Sequence, residues 1–369
     1  MMHARHTSIP GREAGITMIE IMVALTVSLI LAAGVMQIFI SSKSTYHMQT
    51  ESARLQENGR FAAEFMARDI RMAGYTGCAS RPNDETTPSD RVTNTLNSSN
   101  QLAYNFTVGI EGFNDVSSAP TYLSAAGITP VSGSDVVIVR RSSDAGVRVS
   151  QNNNGGQVFV EHKSTQSGAC SGGSDMLSGL CVNDIVMVSD CQKSRIFQIT
   201  PTITATGNEL NLTHVSSGSP GNAIASWGGA SAPEEEQFGP GSEIIKIVTY
   251  AYYIANNADG IPSLYRTEGT AATTLELIEG VEDMQVEYGE DTIGEIDGVA
   301  DVYRTANAVV DWERVVSVRL YLMLRSDSPN VTDGAQPVLF NNTTVTPAAS
   351  DRYLRRVLTK TIALRNRTS

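Results

Sequence analysis

The chain has 369 residues, of which 41% are hydrophobic and 18% are charged, a balance typical of a folded protein and not of a disordered one. Its 39 acidic and 27 basic residues give a net charge of −12, which argues against a nucleic-acid partner because phosphate binding requires a basic surface. A chain of this length can form one large domain or two of ordinary size.

An apolar segment from Ile16 to Ile40 dominates the start of the chain. Its 25 residues include one formal charge, Glu20. As a helix the segment would span about 37 Å, more than the hydrocarbon core of a bilayer. The polar leader before it, residues 1–15, carries a small positive excess. We therefore expect a single-pass protein with its leader in the cytoplasm and the remainder outside.

Glu20 separates three interpretations of this segment. A secretory signal cleaved near Ala32-Ala33-Gly34, or an uncleaved signal anchor, gives no reason for a carboxylate at bilayer depth. A cut between Gly15 and Ile16 would place a new α-amino group about one helical turn from Glu20. The two charges would then neutralise each other inside the membrane, within one chain or between neighbours.

The residues around that cut, Gly15-Ile16-Thr17-Met18-Ile19-Glu20, resemble the class III signal of type IV pilins and pseudopilins. The resemblance implies that prepilin peptidase cleaves after Gly15 and methylates the new N-terminus at Ile16. It also implies that Glu20 is retained in the mature protein and acts in assembly. Ile16 and Met18 stand where this family usually has Phe and Leu.

Helix-forming residues continue from residue 41 to Ala73, and Gly74 is the expected C-cap. Apolar residues in this half fall at spacings of three, four and seven and form one face: Leu55, Ala62, Phe65, Met66, Ile70 and Ala73. We expect that face to pack on a globular body. The predicted organisation is a leader (1–15), a transmembrane and assembly helix (16–40), an amphipathic half of that helix (41–74) and a periplasmic β-rich domain (75–369).

Three further segments are similar to the PilW family of minor pilins. They are Gln56–Cys78, with the run QENGRFAAEFMARDIRMAGYTGC, Gly280–Thr292 and Thr359–Arg367. The chain is therefore identified as a PilW-like minor pilin, which implies a long pilin helix packed on a globular domain and a part in starting the type IV pilus.

The body after residue 75 reads as a set of short strands with polar connections, so the predicted fold class is α+β with a mostly antiparallel sheet. In Val315–Arg325, apolar and polar residues alternate with the period of a strand. The other predicted strands are Val136–Arg140, Val158–Glu161, Asp184–Val188, Arg195–Thr200, Glu209–Leu212, Glu243–Tyr253, Leu275–Ile278, Met284–Tyr288 and Arg352–Leu364.

The four cysteines, Cys78, Cys170, Cys181 and Cys191, lack the paired spacing of a zinc site, so disulfides are expected in an exported protein. If Val182–Asp190 is one strand, Cys181 and Cys191 lie roughly 30 Å apart. A disulfide requires Cα atoms within about 7 Å. We prefer Cys170–Cys181 with Cys78–Cys191, and the alternative is Cys78–Cys181 with Cys170–Cys191.

Ten carboxylates and no Lys or Arg lie between Glu276 and Asp301. Such density invites calcium, with four candidate ligands: Asp291, Glu295, Asp297 and Asp301. The spacing departs from an EF-hand loop because Ile293 stands at a ligand position. A solvated acidic loop without a cofactor is the preferred interpretation.

The five histidines belong to no metalloprotease, hydrolase or phosphate-loop motif, so an enzyme is not expected. The sequence predicts a structural minor pilin that starts pilus assembly at or near the filament tip, with other minor pilins, the major pilin, prepilin peptidase and the inner-membrane platform as partners. The predicted location is the inner membrane and then the pilus. The alternatives are a pseudopilin of a type II secretion system and a membrane-anchored periplasmic binding protein.

Overall fold

One long helix and nineteen strands form the regular structure of the described residues in a computed structural model. The structure describes residues 15–75, 77, 91–116, 123, 127–163, 166–170, 173–190, 192–269, 273–294 and 297–367.

Helix α1 (Met18–Arg71) begins after the N-cap residue Thr17 and contains 54 residues. It is therefore about 80 Å long at roughly 1.5 Å per residue. It ends at Arg71, two residues before the predicted end, because Met72 already has non-helical backbone angles and serves as the C-cap. Gly74 follows with a φ of +68°, a left-handed conformation that favours glycine after a helix.

The strands follow in chain order, and most are shorter than six residues. Their bounds are β1 (Val92–Asn94), β2 (Ile110–Phe113), β3 (Val136–Asn154), β4 (Gln157–Glu161), β5 (Gly168–Ala169), β6 (Asp175–Met176), β7 (Ile185–Ser189), β8 (Ser194–Gln198), β9 (Ile203–Thr206), β10 (Glu209–Thr213), β11 (Glu243–Asn256), β12 (Pro262–Glu268), β13 (Thr273–Glu279), β14 (Val281–Glu290), β15 (Val302–Thr305), β16 (Val315–Arg325), β17 (Val338–Phe340), β18 (Thr343–Val345) and β19 (Arg355–Ala363).

Two sheets contain most of these strands. The larger sheet has eleven strands. Eight of them follow the path β1-β8-β7-β11-β3-β4-β10-β9, β12 pairs with both β11 and β13, and β2 pairs with β3. The smaller sheet has four strands in the order β15-β14-β16-β19. Among the named strands only the β1–β8 pair is parallel. The predicted α+β class with a mostly antiparallel sheet is therefore confirmed.

All ten predicted strands overlap strands of the structure. β16 has the predicted bounds. The prediction for β3 is too short, because this strand continues past Arg140 through polar residues to Asn154. Residues of this second half pair with β11 and β4. Backbone pairing with these two strands therefore extends β3 beyond the part that its amino-acid composition predicts.

The main apolar core lies where α1 meets both sheets. Met66 of α1 is fully buried and belongs to one cluster with Tyr252 of the larger sheet and Leu322 of the smaller sheet. Gly59 allows the helix to approach the smaller sheet closely, since a Cβ at this position would lie 3.2 Å from the Leu324 side chain. The outer half of the helix is thus part of the folded body.

A second core fills the part of the larger sheet formed by β3, β4, β7, β8 and β10. Trp227 lies in this core, stacked on His214 with ring centroids 4.3 Å apart, and the Arg195 guanidinium lies 5.1 Å from the Trp227 ring centroid. Burial lowers the pKa of His214 to about 4, so its imidazole is neutral near pH 7. This histidine is therefore packed as an aromatic core residue.

The disulfide between Cys170 and Cys181 is present, with Cα atoms 5.9 Å apart. This confirms the preferred partner for both residues. Cys78 and Cys191 lie outside the described residues. Their neighbours Gly77 and Ser189 lie against each other, since a Cβ built on Gly77 would be 2.9 Å from the Ser189 hydroxyl oxygen.

We expect non-reducing peptide mapping to recover Cys78 linked to Cys191 beside the Cys170–Cys181 peptide. Replacing Cys170 and Cys181 together by serine should lower the free energy of unfolding by about 2–3 kcal/mol, because the bond restricts the unfolded chain. Recovery of a peptide that joins Cys181 to Cys191 would contradict the predicted pairing.

Candidate functional site

The start of α1 is organised by a reciprocal capping box between Thr17 and Glu20. The Glu20 backbone N–H donates to the Thr17 hydroxyl at 3.3 Å. The Glu20 carboxylate accepts from the Thr17 backbone N–H and from the Thr17 hydroxyl, both at 2.9 Å. Glu20 therefore points back along the helix towards Gly15 and Ile16.

The bond between Gly15 and Ile16 precedes the helix, and both residues are exposed. The Glu20 carboxylate contacts the backbone N–H of Thr17, and Ile16 is the residue directly before Thr17. A new amino group at Ile16 would need only local rearrangement to reach Glu20. The motif T-x-x-E, Thr17 to Glu20, is the sequence signature of a capping box. It could have identified Thr17 as the residue that orients Glu20.

The apolar half of α1 has no contact with the folded body. Its side chains are exposed along the whole segment, from Ile16 at 74% to Ile40 at 61%. The first buried helical residue is Glu51. Among the described residues, α1 is the helix long and apolar enough to cross a membrane. Side chains of this kind require lipid or other apolar helices around them.

Two aromatic side chains on the outer half of α1 are also exposed. Phe61 is 40% and Phe65 is 48% exposed, and the Arg60 guanidinium lies 4.9 Å from the Phe61 ring centroid. The prediction that Phe65 belongs to the buried face is wrong. Its neighbour Met66 occupies the core, and successive helical residues are rotated by about 100°, which turns Phe65 outward.

Asp69 fixes the last turn of α1 to the larger sheet. Its carboxylate is buried, lies 2.8 Å from Arg141 Nε and 3.5 Å from an Arg266 nitrogen, and accepts a hydrogen bond from the Tyr252 hydroxyl. Both guanidinium groups also lie over the Tyr250 ring. Burial and the Asp69 charge raise the pKa of Tyr252.

This network is not predictable from the sequence, because no spacing rule relates Asp69 to three distant strands. An acidic residue near a helix C-terminus is unfavourable for the helix dipole, which was the available signal that Asp69 has a specific partner. The network holds the orientation of the long helix against the body.

The acidic segment is ordered by hydrogen bonds within itself. Asp291 Oδ2 accepts from the backbone N–H groups of Asp297 and Gly298, and Asp301 Oδ2 accepts from those of Thr292 and Ile293. These bonds are typical of carboxylates that cap turns. They engage one oxygen, Oδ2, of each of these two carboxylates.

The four predicted calcium ligands do not come together as a group in the described part of the chain. No cluster of three or more Asp, Glu, His or Cys residues suited to a metal ion occurs there, and Glu295 lies outside the described residues. Asp291 Oδ1 is buried and accepts no hydrogen bond among the described residues. The preferred solvated loop and the calcium alternative therefore both stay untested predictions.

Titrating the protein with calcium in a calorimeter tests this directly. We expect no heat of binding and no shift in melting temperature, because the loop is already ordered by its own backbone hydrogen bonds. A binding heat that disappears in Asp291→Asn would contradict this expectation and assign the ion to the loop. Magnesium serves as the control for a non-specific effect of charge.

Comparisons with known proteins found similarity over parts of this chain. The family model for type IV pilus-assembly protein W, PilW, matches residues 251–366. This range includes two of the three segments on which the resemblance was based, Gly280–Thr292 and nearly all of Thr359–Arg367, and confirms the resemblance. None of the curated proteins matches the chain. A type IV-like pilin from Thermus thermophilus is 16% identical over 33% of this chain and 67% of that chain, with a TM-score of 0.21.

Proposed function

We propose that this chain, which matches the PilW family of type IV pilus-assembly proteins over residues 251–366, is a structural minor pilin that helps to start the pilus. One observation carries the proposal. An apolar helical segment with a single acidic residue extends unpacked from the folded body. A segment of this kind fits first in a membrane and then in a bundle of similar helices.

Processing would convert the start of the chain into the assembly-competent form. Prepilin peptidase would cut the exposed bond after Gly15 and methylate Ile16. The capping box supports this step because it places the Glu20 carboxylate beside the future N-terminus. Glu20 would then pair with an N-terminal amine in the bundle and set the axial register of each subunit.

The partners of this form would be other minor pilins and the major pilin, packed helix against helix. The exposed Phe61 and Phe65 extend the apolar surface of α1 beyond the membrane segment and would contribute to that packing. The large body, which contains a second core, favours a position at or near the filament tip, where fewer neighbours surround a subunit. The inner-membrane platform would extract the subunit.

The chain would sit in the inner membrane with its body in the periplasm, and later on the cell surface within the pilus. We propose that the chain has no enzymatic activity and binds no cofactor. Among the described residues, His214 packs in an aromatic core and Asp69 anchors α1. A pseudopilin of a type II secretion system shares the same helix and signal and is the second candidate.

Deleting the gene separates these candidates. A minor pilin that starts assembly predicts loss of surface pili, with protein secretion unchanged, and recovery of the chain in small amounts from sheared pili of the complemented strain. Loss of secretion with normal pili would assign the chain to a secretion system. No effect on either process would contradict the proposal.

A further inference from the structure

The smaller sheet ends on one side in an unusually open edge strand. β19 has nine residues, pairs only with β16 among the described strands, and shows no register shift along that pair. Edge strands are normally short, bulged or guarded by charges, since their free N–H and C=O groups can pair with another chain.

The other edges of the described sheets follow that rule. β1, β2, β9 and β15 have three or four residues each. β13 is longer, but its pairing with β12 contains a register shift, and it carries Glu276 and Glu279. The edge of β19 differs from all of these in length and regularity.

Two hydrogen bonds identify which backbone groups of β19 face outward. Leu364 donates to Val316 O, and Ser326 donates to Leu354 O, so the even-numbered residues of β19 form the hydrogen-bonded pairs with β16. The odd-numbered residues therefore direct their N–H and C=O groups to the open side. Four of them are uncharged, namely Val357, Thr359, Thr361 and Ala363, and the first three are β-branched residues that favour strands.

Basic residues frame this uncharged row. Six basic residues and no acidic residue lie between Arg352 and Arg367, although the chain as a whole is acidic. The buried Arg355 is paired with Glu282 and Asp351, and Lys360 is paired with Glu64 of α1. Arg356 and Arg365, at the two ends of the row, are exposed. No carboxylate partner of either is found in the described part of the chain.

A second copy of the same strand would fit this edge poorly. The antiparallel register that overlaps the uncharged row pairs Val357 with Ala363 of the second copy. It brings the exposed Arg356 and Arg365 of the two copies together at both ends, and β19 contains no acidic residue to pair with them. Like charges at opposed positions are destabilising, whereas acidic residues there would be attracted.

We propose that the free edge of β19 is a docking site for an extended segment of another protein, which adds as a fifth strand and carries acidic residues at both ends. The backbone groups of Val357, Thr359, Thr361 and Ala363 would form the new ladder. Arg356 in β19 and Arg365, two residues past the end of β19, would select the two acidic ends. The proposal does not depend on the function in pilus assembly.

A synthetic peptide as long as β19, with capped termini, alternating Thr and Val, and Glu at each end, is the probe. We expect it to bind the full-length protein in detergent, with an affinity that falls as salt is added. The same peptide with Lys at each end should bind about ten-fold more weakly, since two attractive pairs become repulsive. Methylating alternate backbone nitrogens of the probe should abolish binding, because the ladder then loses its donors.

Thr361→Pro tests the protein side of the interface. Proline removes an N–H that makes no bond to β16, so the β16–β19 ladder stays intact while the open edge is blocked. Thr361→Ala keeps the N–H and is the matched control, and it should bind the probe as the unmodified protein does. If Thr361→Pro unfolds the protein, the methylated probe still decides the question.

Three results would overturn the proposal: no binding of the Glu-ended probe up to about 1 mM, equal binding of the Lys-ended probe, or unchanged binding of the methylated probe. Failure of the pilus proposal would leave all three readouts unaffected.

Discussion

Replacing Glu20 by Val is expected to remove the chain from pili while leaving its insertion into the membrane unchanged or improved. The substitution removes the carboxylate that faces the Gly15–Ile16 bond and makes the apolar segment continuous. Without a charge to pair with an N-terminal amine, helices in the bundle would lack a fixed axial register. We expect the pilus-associated fraction of the chain to fall by about ten-fold or more.

Glu20→Gln is the informative companion of Glu20→Val. An amide oxygen can still accept from the Thr17 N–H, so the capping box is retained while the negative charge is lost. If the charge sets the register, Glu20→Gln should fail in assembly as Glu20→Val does. Immunoblots of sheared pili and of washed membranes measure both properties, and normal pili in Glu20→Val cells would contradict this role.

Asp69→Ala is expected to be the most destabilising single substitution in the outer half of α1. It leaves the Arg141 and Arg266 guanidinium groups and the Tyr252 hydroxyl without their shared acceptor. Breaking one side of a buried ion pair typically costs about 3–5 kcal/mol, and we expect the free energy of unfolding to fall by that amount.

Chemical unfolding of the full-length protein in detergent measures this effect. Glu57→Ala changes an exposed acid on the same helix and should alter the free energy of unfolding by less than about 0.5 kcal/mol. Adding Arg266→Leu to Asp69→Ala should restore part of the loss, because one unpaired charge is then removed. A loss below about 1 kcal/mol in Asp69→Ala would show that the network does not anchor the helix.

The parts of the fold that are visible in the sequence are those set by local pattern. Alternation of apolar and polar residues predicts β16, and the change from an apolar to an amphipathic helix predicts the two halves of α1. Phe65 shows the limit of the same rule. A spacing pattern does not distinguish a residue at the border of a helical face from one at its centre. The strands that pack against α1 determine that Met66 is buried and Phe65 is exposed.

Features that depend on residues distant in the sequence could not be predicted from local hydrophobic patterns. The polar half of β3 is a strand because β4 and β11 pair with it, and Asp69 is buried because Arg141 and Arg266 meet it there. The residues of the proposed processing signal, by contrast, are contiguous in the chain. Glu20 was therefore recognised from the sequence, while the structure added Thr17 as the residue that holds its carboxylate.

Mass spectrometry of the mature N-terminus tests the central claim most directly, on protein from washed membranes and from sheared pili. The proposed function predicts a chain that begins at N-methylated Ile16 and retains Glu20 at its fifth position. A chain that begins near Gly34 would have lost Glu20 and could not use it in assembly. A chain that retains Met1 in both fractions would be a membrane-anchored protein without prepilin processing, and either result would contradict the claim.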